Sequence, residues 1–269
     1  MTILVVASTK DLAARNIAEK LMKLQNFKES EVVFNGNRVY KNGDILFTYI
    51  NTDSIHTNNL DKHFKVDTII FASRHRSESG NPSFTVHTPG NFNEALLGGR
   101  PRELAIAYPK IMRNILIALK KARDELSLNY SVSLEATHHG PTEMNTPVMF
   151  VEIGSSEKQW KDDFAGEIVA KAILSAVKET KIGRNAIGFG GGHYAPKHTE
   201  TVLGSEIAIG HIMSKYAFEN LNEETVKNMI KRTENGCKLA VLDWKGIKGD
   251  DRKKLLNILK TLNIDILRV

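Results

Sequence analysis

The chain has 269 residues, 41% hydrophobic and 25% charged, which supports a large buried core and excludes a low-complexity polypeptide. Lysine and arginine total 37 against 31 acidic residues, and the resulting charge of +6 favours a polyanionic partner only if it is gathered on one face. Cys237 is the single cysteine, which excludes an internal disulfide and a cysteine-rich zinc module, so oxygen and imidazole would have to serve any metal.

The apolar start Ile3 to Ala7 is too short for a signal peptide, and no apolar run approaches the ~20 residues of a membrane span. A cytoplasmic protein without a membrane partner is expected. Thr2 to Ser8 is a β-branched run, and Leu12, Ile17, Leu21 and Leu24 follow at near-helical spacing, so a strand leads into a helix. Asn35-Gly36-Asn37 and Asn42-Gly43 then separate three short β-rich runs, predicting a small early antiparallel hairpin insertion. Asp67 to Ser73 reads as a buried strand, and Arg74 to Arg100 as a long polar loop.

Pro101 opens a predicted helix whose apolar stripe runs from Leu104 through Tyr108, Ile111, Ile115 and Leu119 to Leu126. Ser131 to Leu134 and Val148 to Ile153 read as strands, and about Glu157 to Val177 as a helix. Strands at Ala186 to Gly190, Leu239 to Leu242 and Ile264 to Leu267 alternate with helices around Glu223 to Arg232 and Asp251 to Leu262. This alternation predicts one α/β domain over 1–269, with a mixed, mainly parallel sheet flanked by helices.

Two segments carry the chemistry. Glu135-Ala136-Thr137-His138-His139-Gly140-Pro141-Thr142-Glu143 and Gly190-Gly191-Gly192-His193-Tyr194-Ala195-Pro196-Lys197-His198 each follow a predicted strand, and in α/β folds ligands bind at strand C-terminal ends. Six of nine histidines fall in such loops: His75, His87, His138, His139, His193 and His198. A single loop histidine is more often merely solvated, but several on one edge favour a site. Imidazole and carboxylate are ligands of catalytic zinc, and Glu135, His138, His139, His193 and His211 are the groups expected nearest such an ion. His211 reads equally as a core residue.

Adjacent histidines point apart on a regular strand, so His138 and His139 can converge only where the strand becomes irregular. Arg74-His75-Arg76-Ser77-Glu78-Ser79 could grip a phosphate or carboxylate, or could equally be a surface turn with its own ion pairs. His87 and Asn91 lie in a tight polar turn suited to a pocket wall. The amides of Gly191 and Gly192 could form an anion nest, while the glycine pattern matches neither a Walker A nor a dinucleotide fingerprint. Basic side chains on Lys110 to Arg123, and from Lys245 to Lys254, could meet a phosphate backbone or be ordinary solvated faces.

Taken in order, Arg74 to Ser79, His87-Thr88-Pro89-Gly90-Asn91, Glu135 to Thr142 and Gly190 to Lys197 resemble the signature segments of the archaeal and plant type of D-aminoacyl-tRNA deacylase. The resemblance runs over essentially the whole chain. It implies a phosphorylase/hydrolase-like fold and zinc-dependent hydrolysis of the ester joining a D-amino acid to the 3′-terminal ribose of tRNA, with broad side-chain tolerance. Aminoacylated tRNA is the expected partner, DNA is not, and a monomer is expected.

In the mechanism expected from both readings, one or two zinc ions held by His138, His139 and His193, with Glu135 or His211, activate water. Lys197, Arg74 or the Gly191 and Gly192 amides would stabilise the oxyanion, and Glu143 or Glu78 would move the proton or hold the substrate ammonium. His75, Arg76, Glu78, His87 and Asn91 would contact substrate. The rivals are a zinc peptidase or amidase using the same imidazoles on small substrates, and a non-catalytic RNA-binding protein indifferent to loss of His138 and His193.

Overall fold

Among the described residues, 1–176 and 183–269 of a computed structural model, eight strands form one sheet and four a second. In the first, β1 (Ile3–Ser8) lies between β4 (Ile45–Ile50) and β5 (Thr68–Arg74), parallel to both. The predicted early excursion is the antiparallel run of β2 (Lys28–Phe34), β3 (Asn37–Asn42) and β4, closed on one side by Asn35 and Gly36 with φ of 48° and 80°. Parallel pairing continues from β5 to β8 (Val148–Gly154), after which direction reverses: β6 (Ser83–His87) is antiparallel to β8 and parallel to β7 (Ser131–Leu134).

Strand β6 falls inside the segment expected to be a loop. Its residues Ser-Phe-Thr-Val-His do alternate, but Ser83, Thr85 and His87 are buried like Phe84 and Val86, so the polar set faces an enclosed site instead of solvent. The second sheet, β9 (Arg184–Phe189), β10 (Ile207–Met213), β11 (Leu239–Leu242) and β12 (Asp265–Arg268), is wholly parallel. Two sheets therefore replace the single one expected.

Helix α1 (Leu12–Leu24) is capped by Asp11, whose Oδ1 accepts the amides of Ala13 and Ala14. The predicted helix from Pro101 is corrected: α3 runs over Pro109–Glu125, because Pro109 is held at the first turn, where its missing N–H costs nothing. Leu104 instead bridges to Gly90, and Ala107 to Thr233. The predicted helix of 157–177 divides at Lys161 into α4 (Glu157–Trp160) and α5 (Asp163–Ser175), since Asp162 starts a new helix by accepting the Phe164 and Ala165 amides. Its expected end at Val177 lies outside the described residues.

Four more helices complete the elements used below: α2 (Leu60–His63), α6 (Pro196–Gly204), α7 (Glu223–Lys231) and α8 (Gly249–Thr261). The main core, including Ile17, Leu21, Ile70, Ile115, Val151 and Ile173, lies where α1, α3 and α5 cover one face of the first sheet. On the opposite face Leu4, Val6, Phe71, Val148 and Phe150 form a second cluster, and α3 also packs on β10, joining the two sheets. Among the described residues no helix is long and apolar enough to cross a membrane.

Candidate active site

Five imidazoles and two carboxylates converge on one face of the first sheet, at the point where strand direction reverses. Glu152 stands in the centre of β8, on the same face as Val148 and Phe150 by strand alternation and opposite Thr85 in register. His75 follows the end of β5, His87 ends β6, Glu135, His138 and His139 follow β7, and His193 follows β9. The segments after β7 and β9 are tied together, with Ala136 N–H donating to His193 O at 2.8 Å and a Glu135–Tyr194 bridge.

The His-His dipeptide converges for a local reason. His139 has φ of 46°, a left-handed conformation that turns its ring back toward His138, and the two ring centroids lie 4.4 Å apart. Each ring is fixed at Nδ1, His138 on Ala136 O at 2.8 Å and His139 on Gly140 O at 2.6 Å, so each Nδ1 carries the proton and each Nε2 presents a lone pair. His87 stacks on Phe150 at 5.3 Å and meets His139 Nε2 through its own Nε2 at 3.2 Å. With no ion between the rings, that contact places the His87 proton on Nε2 and leaves a lone pair on Nδ1.

Glu135 is the hub. It is fully enclosed, with His75 Nδ1 at 2.9 Å, His193 Nε2 at 3.1 Å, His138 Nε2 at 3.6 Å and His87 Nδ1 at 3.7 Å from its oxygens. These approaches are out of line for hydrogen bonding: both carboxylate oxygens and His87 Nδ1 are buried without a hydrogen-bond partner. His138 Nε2 and His87 Nδ1, which carry lone pairs, face these oxygens unfavourably unless a cation lies between them. His87, His138 and His139 form one set of close ligand atoms, His75, Glu135 and His193 a second, and His87, Glu135 and Glu152 a third, each with all atoms within 4.8 Å. The donors are nitrogen and oxygen alone, a chemistry that fits a divalent transition metal.

Protonation follows from these neighbours. Burial pushes His87, His138 and His139 down, the last to about 3, so all three stay neutral as metal ligation demands. Burial alone would raise Glu135, but the imidazoles of His193 and His75 outweigh it and hold the carboxyl well below its usual range. Burial raises Glu152 to about 7, opposed by His75 and aided by the charge of Glu135. His75 is disfavoured as a cation by burial, yet Glu135 and Glu152 lift it to about 11, and its Nε2 meets Tyr194 Oη at 2.7 Å.

The cluster floors an open cleft of about 400 Å³ whose walls include Ser8, Asp11, Ile55, Arg74, Arg76 and Leu97. Arg74 lies 5.7 Å over Trp160 and donates to Lys10 O, while its backbone N–H donates to Asp11 Oδ2 at 2.9 Å.

Of the residues singled out from sequence, His75, His87, Glu135, His138, His139 and His193 are brought together, and Arg74 and Arg76 line the same cleft. His211 is a correction: it lies inside β10, fully buried, with Nδ1 at 3.2 Å from Thr137 Oγ1 and Nε2 at 3.2 Å from Arg232 O. Both its nitrogens are occupied by protein, so it belongs to none of the three ligand sets. Lys197 is paired with Glu200 on α6, and Glu143 with Arg100 at 2.6 Å, and neither lines the cleft. Glu78 is exposed. Gly191 is packed against Asp243 and neither it nor Gly192 lines the cleft, while Asn91 turns inward to hold a neighbouring loop.

Sequence reading missed Glu152, Asp11 and Tyr194. A signal existed for the first, since a lone carboxylate inside the apolar run Val148 to Ile153 has to be buried and therefore partnered.

Fold and site together define an α/β protein whose first sheet carries a buried histidine-and-carboxylate cluster with donor sets that could hold a metal ion. Residues 62–267 match the sequence profile of the D-aminoacyl-tRNA deacylases. Curated proteins bearing that name are similar over nearly the whole chain: one from Pyrococcus furiosus is 39% identical over 98% of this chain and 99% of its own, and one from Methanosarcina acetivorans 40% identical over 99% and 92%. A crystal structure described as a conserved protein of unknown function shares the fold at a TM-score of 0.92, with 34% identity over 99% of this chain and 95% of the other. The chain belongs to the D-aminoacyl-tRNA deacylase family.

Proposed function

We propose that this enzyme cleaves the ester of D-aminoacyl-tRNA, releasing a D-amino acid and tRNA, and that one or two zinc ions complete its site. The observation that carries the reading is the enclosed Glu135 carboxylate ringed by four imidazole nitrogens yet lacking a hydrogen bond. His87, His138 and His139 would hold one ion, and a second held by His75, Glu135 and His193 would have to displace the proton that Glu135 and Glu152 otherwise keep on His75. A bound zinc supplies Lewis acidity and a water of depressed pKa.

The chain's own groups do the rest. The carbonyls of Ala136 and Gly140 fix the His138 and His139 tautomers, and Phe150 fixes the His87 ring. Glu152, poised near neutrality and touching His75 and Thr85, is suited to take a proton from the attacking water and return one to the departing ribose hydroxyl. Arg74 and Arg76 flank the cleft where phosphates of the acceptor end would lie.

The test is deacylation of D-tyrosyl-tRNA beside L-tyrosyl-tRNA, before and after chelation and after zinc is restored. Turnover of the D-ester alone, lost on chelation and regained with zinc, is expected. Equal turnover of both overturns the stereoselective part, and indifference to chelator overturns the metal. Hydrolysis of free dipeptides or N-acyl amino acids at rates that attachment to tRNA does not improve would establish the peptidase or amidase reading instead.

A further inference from the structure

The cleft has one apolar lip, and its construction is costly. Leu97, 57% exposed, lines the cleft with Ile55, His138, His139 and His193, and Leu96, which precedes it in the chain, is 88% exposed. Exposed leucine pairs in loose loops need no explanation, but this loop is clamped. Asn91 donates to Gly98 O at 2.9 Å and Arg100 O at 3.1 Å, Gly140 N–H donates to Leu97 O at 3.0 Å, and Arg100 N–H donates to Thr142 Oγ1 at 3.0 Å.

Gly98, at φ of 77°, packs so closely that a Cβ would stand 2.1 Å from Ile55 O, and one on Gly140 would stand 2.2 Å from Gly99 N. Leu97 is thus held at the cleft, with Leu96 exposed next to it, by a rigid backbone anchored on the His139-Gly140 turn itself. A fixed apolar surface left in water at an active-site mouth is a binding surface.

We propose that Leu96 and Leu97 form the platform on which the terminal nucleobase of the tRNA acceptor end rests, with its adjoining phosphate directed to Arg74 and Arg76. The choice of occupant follows from charge and shape. A 3′-terminal nucleotide pairs a flat apolar-faced base with an anion, matching a cleft that offers both an apolar lip and guanidinium groups. No acyl side chain pairs a flat aromatic face with an anion: aromatic ones are uncharged and acidic ones are not flat rings. The proposal rests on the deacylase reading and deepens it by assigning the nucleoside side of the ester.

Leu96→Ser with Leu97→Ser is the test variant, since neither side chain belongs to the buried core. Two readouts separate the outcomes. With uncharged tRNA whose terminal adenosine is replaced by 2-aminopurine, wild-type protein should change the fluorescence and the double variant should not. In deacylation, KM should rise about tenfold, the equivalent of withdrawing one leucine's worth of contact, with kcat little altered and equally for D-alanyl- and D-tyrosyl-tRNA. A loss confined to D-tyrosyl-tRNA would assign the lip to the acyl side chain, and an unchanged KM and fluorescence would assign it nothing; either overturns the proposal. Failure of wild-type protein to deacylate, with the fluorescence response intact, would strike the deacylase reading alone.

Discussion

At the scale of single residues, the site depends on which imidazole nitrogens remain free. His138 and His211 are both strand-end candidates from sequence, yet one has its Nε2 turned to Glu135 and the other has both nitrogens engaged in the core. Their substitution should therefore separate cleanly. His138→Ala should lose zinc by elemental analysis together with at least about a hundredfold in activity, whereas His211→Leu should keep its zinc and lose roughly 2 kcal/mol of stability in urea unfolding. Zinc loss in the His211 variant would contradict the ligand sets described above. Glu135→Gln should likewise reduce kcat/KM by about two orders of magnitude or more with an unchanged far-UV circular dichroism spectrum, and a loss under threefold would remove Glu135 from the centre.

Among the elements, the decisive ones are those whose pattern is polar because they face the site. Strand β6 lies in a segment that reads as loop although Ser83 to His87 alternate, since alternation ordinarily signals a half-solvated strand, and only its pairing with β8 reveals that the polar side is enclosed around Glu152. Helix α3 shows the opposite error: the stripe from Leu104 continues helical spacing by accident, while Pro109 sets the true start. The loop of Leu96 and Leu97 rests on glycine backbone contacts that no residue pattern announces. Gly98→Ala should destabilise the protein by about 1–3 kcal/mol, from both its positive φ and the clash with Ile55 O, and should raise amide exchange across residues 91–100. Exchange unchanged in that segment would show that the clamp lies elsewhere.

Across the whole molecule, two buried histidines outside the site couple folding to pH. Burial depresses His198 and His211 to about 4, with only partial compensation by the Val241 and Arg232 carbonyls respectively. The unfolded chain binds protons at these positions near pH 6.5 and the native state does not, so stability is complete above about pH 6.5 and declines as pH falls toward 4, by roughly 3 kcal/mol for each residue. His198→Leu should flatten this decline by about one proton in denaturant titrations between pH 7 and 4.5, and an unchanged slope would exclude the residue. The phosphate contacts proposed for Arg74 and Arg76 give a second molecular property: tRNA affinity should fall as salt rises from 50 to 200 mM, by about tenfold, in filter-binding measurements.

The sequence alone determined the class of fold and the family, because hydrophobic period, turn residues and ordered motifs are local properties that survive without coordinates. It also named six of the seven groups at the centre. The tertiary structure decided that Glu152 joins them and His211 does not, that the sheets number two, and that Leu97 lines the same cleft as His138, His139 and His193. Each of those is a question of which side chains face one another across strands distant in sequence, and facing is set by register and strand direction, which no single segment encodes.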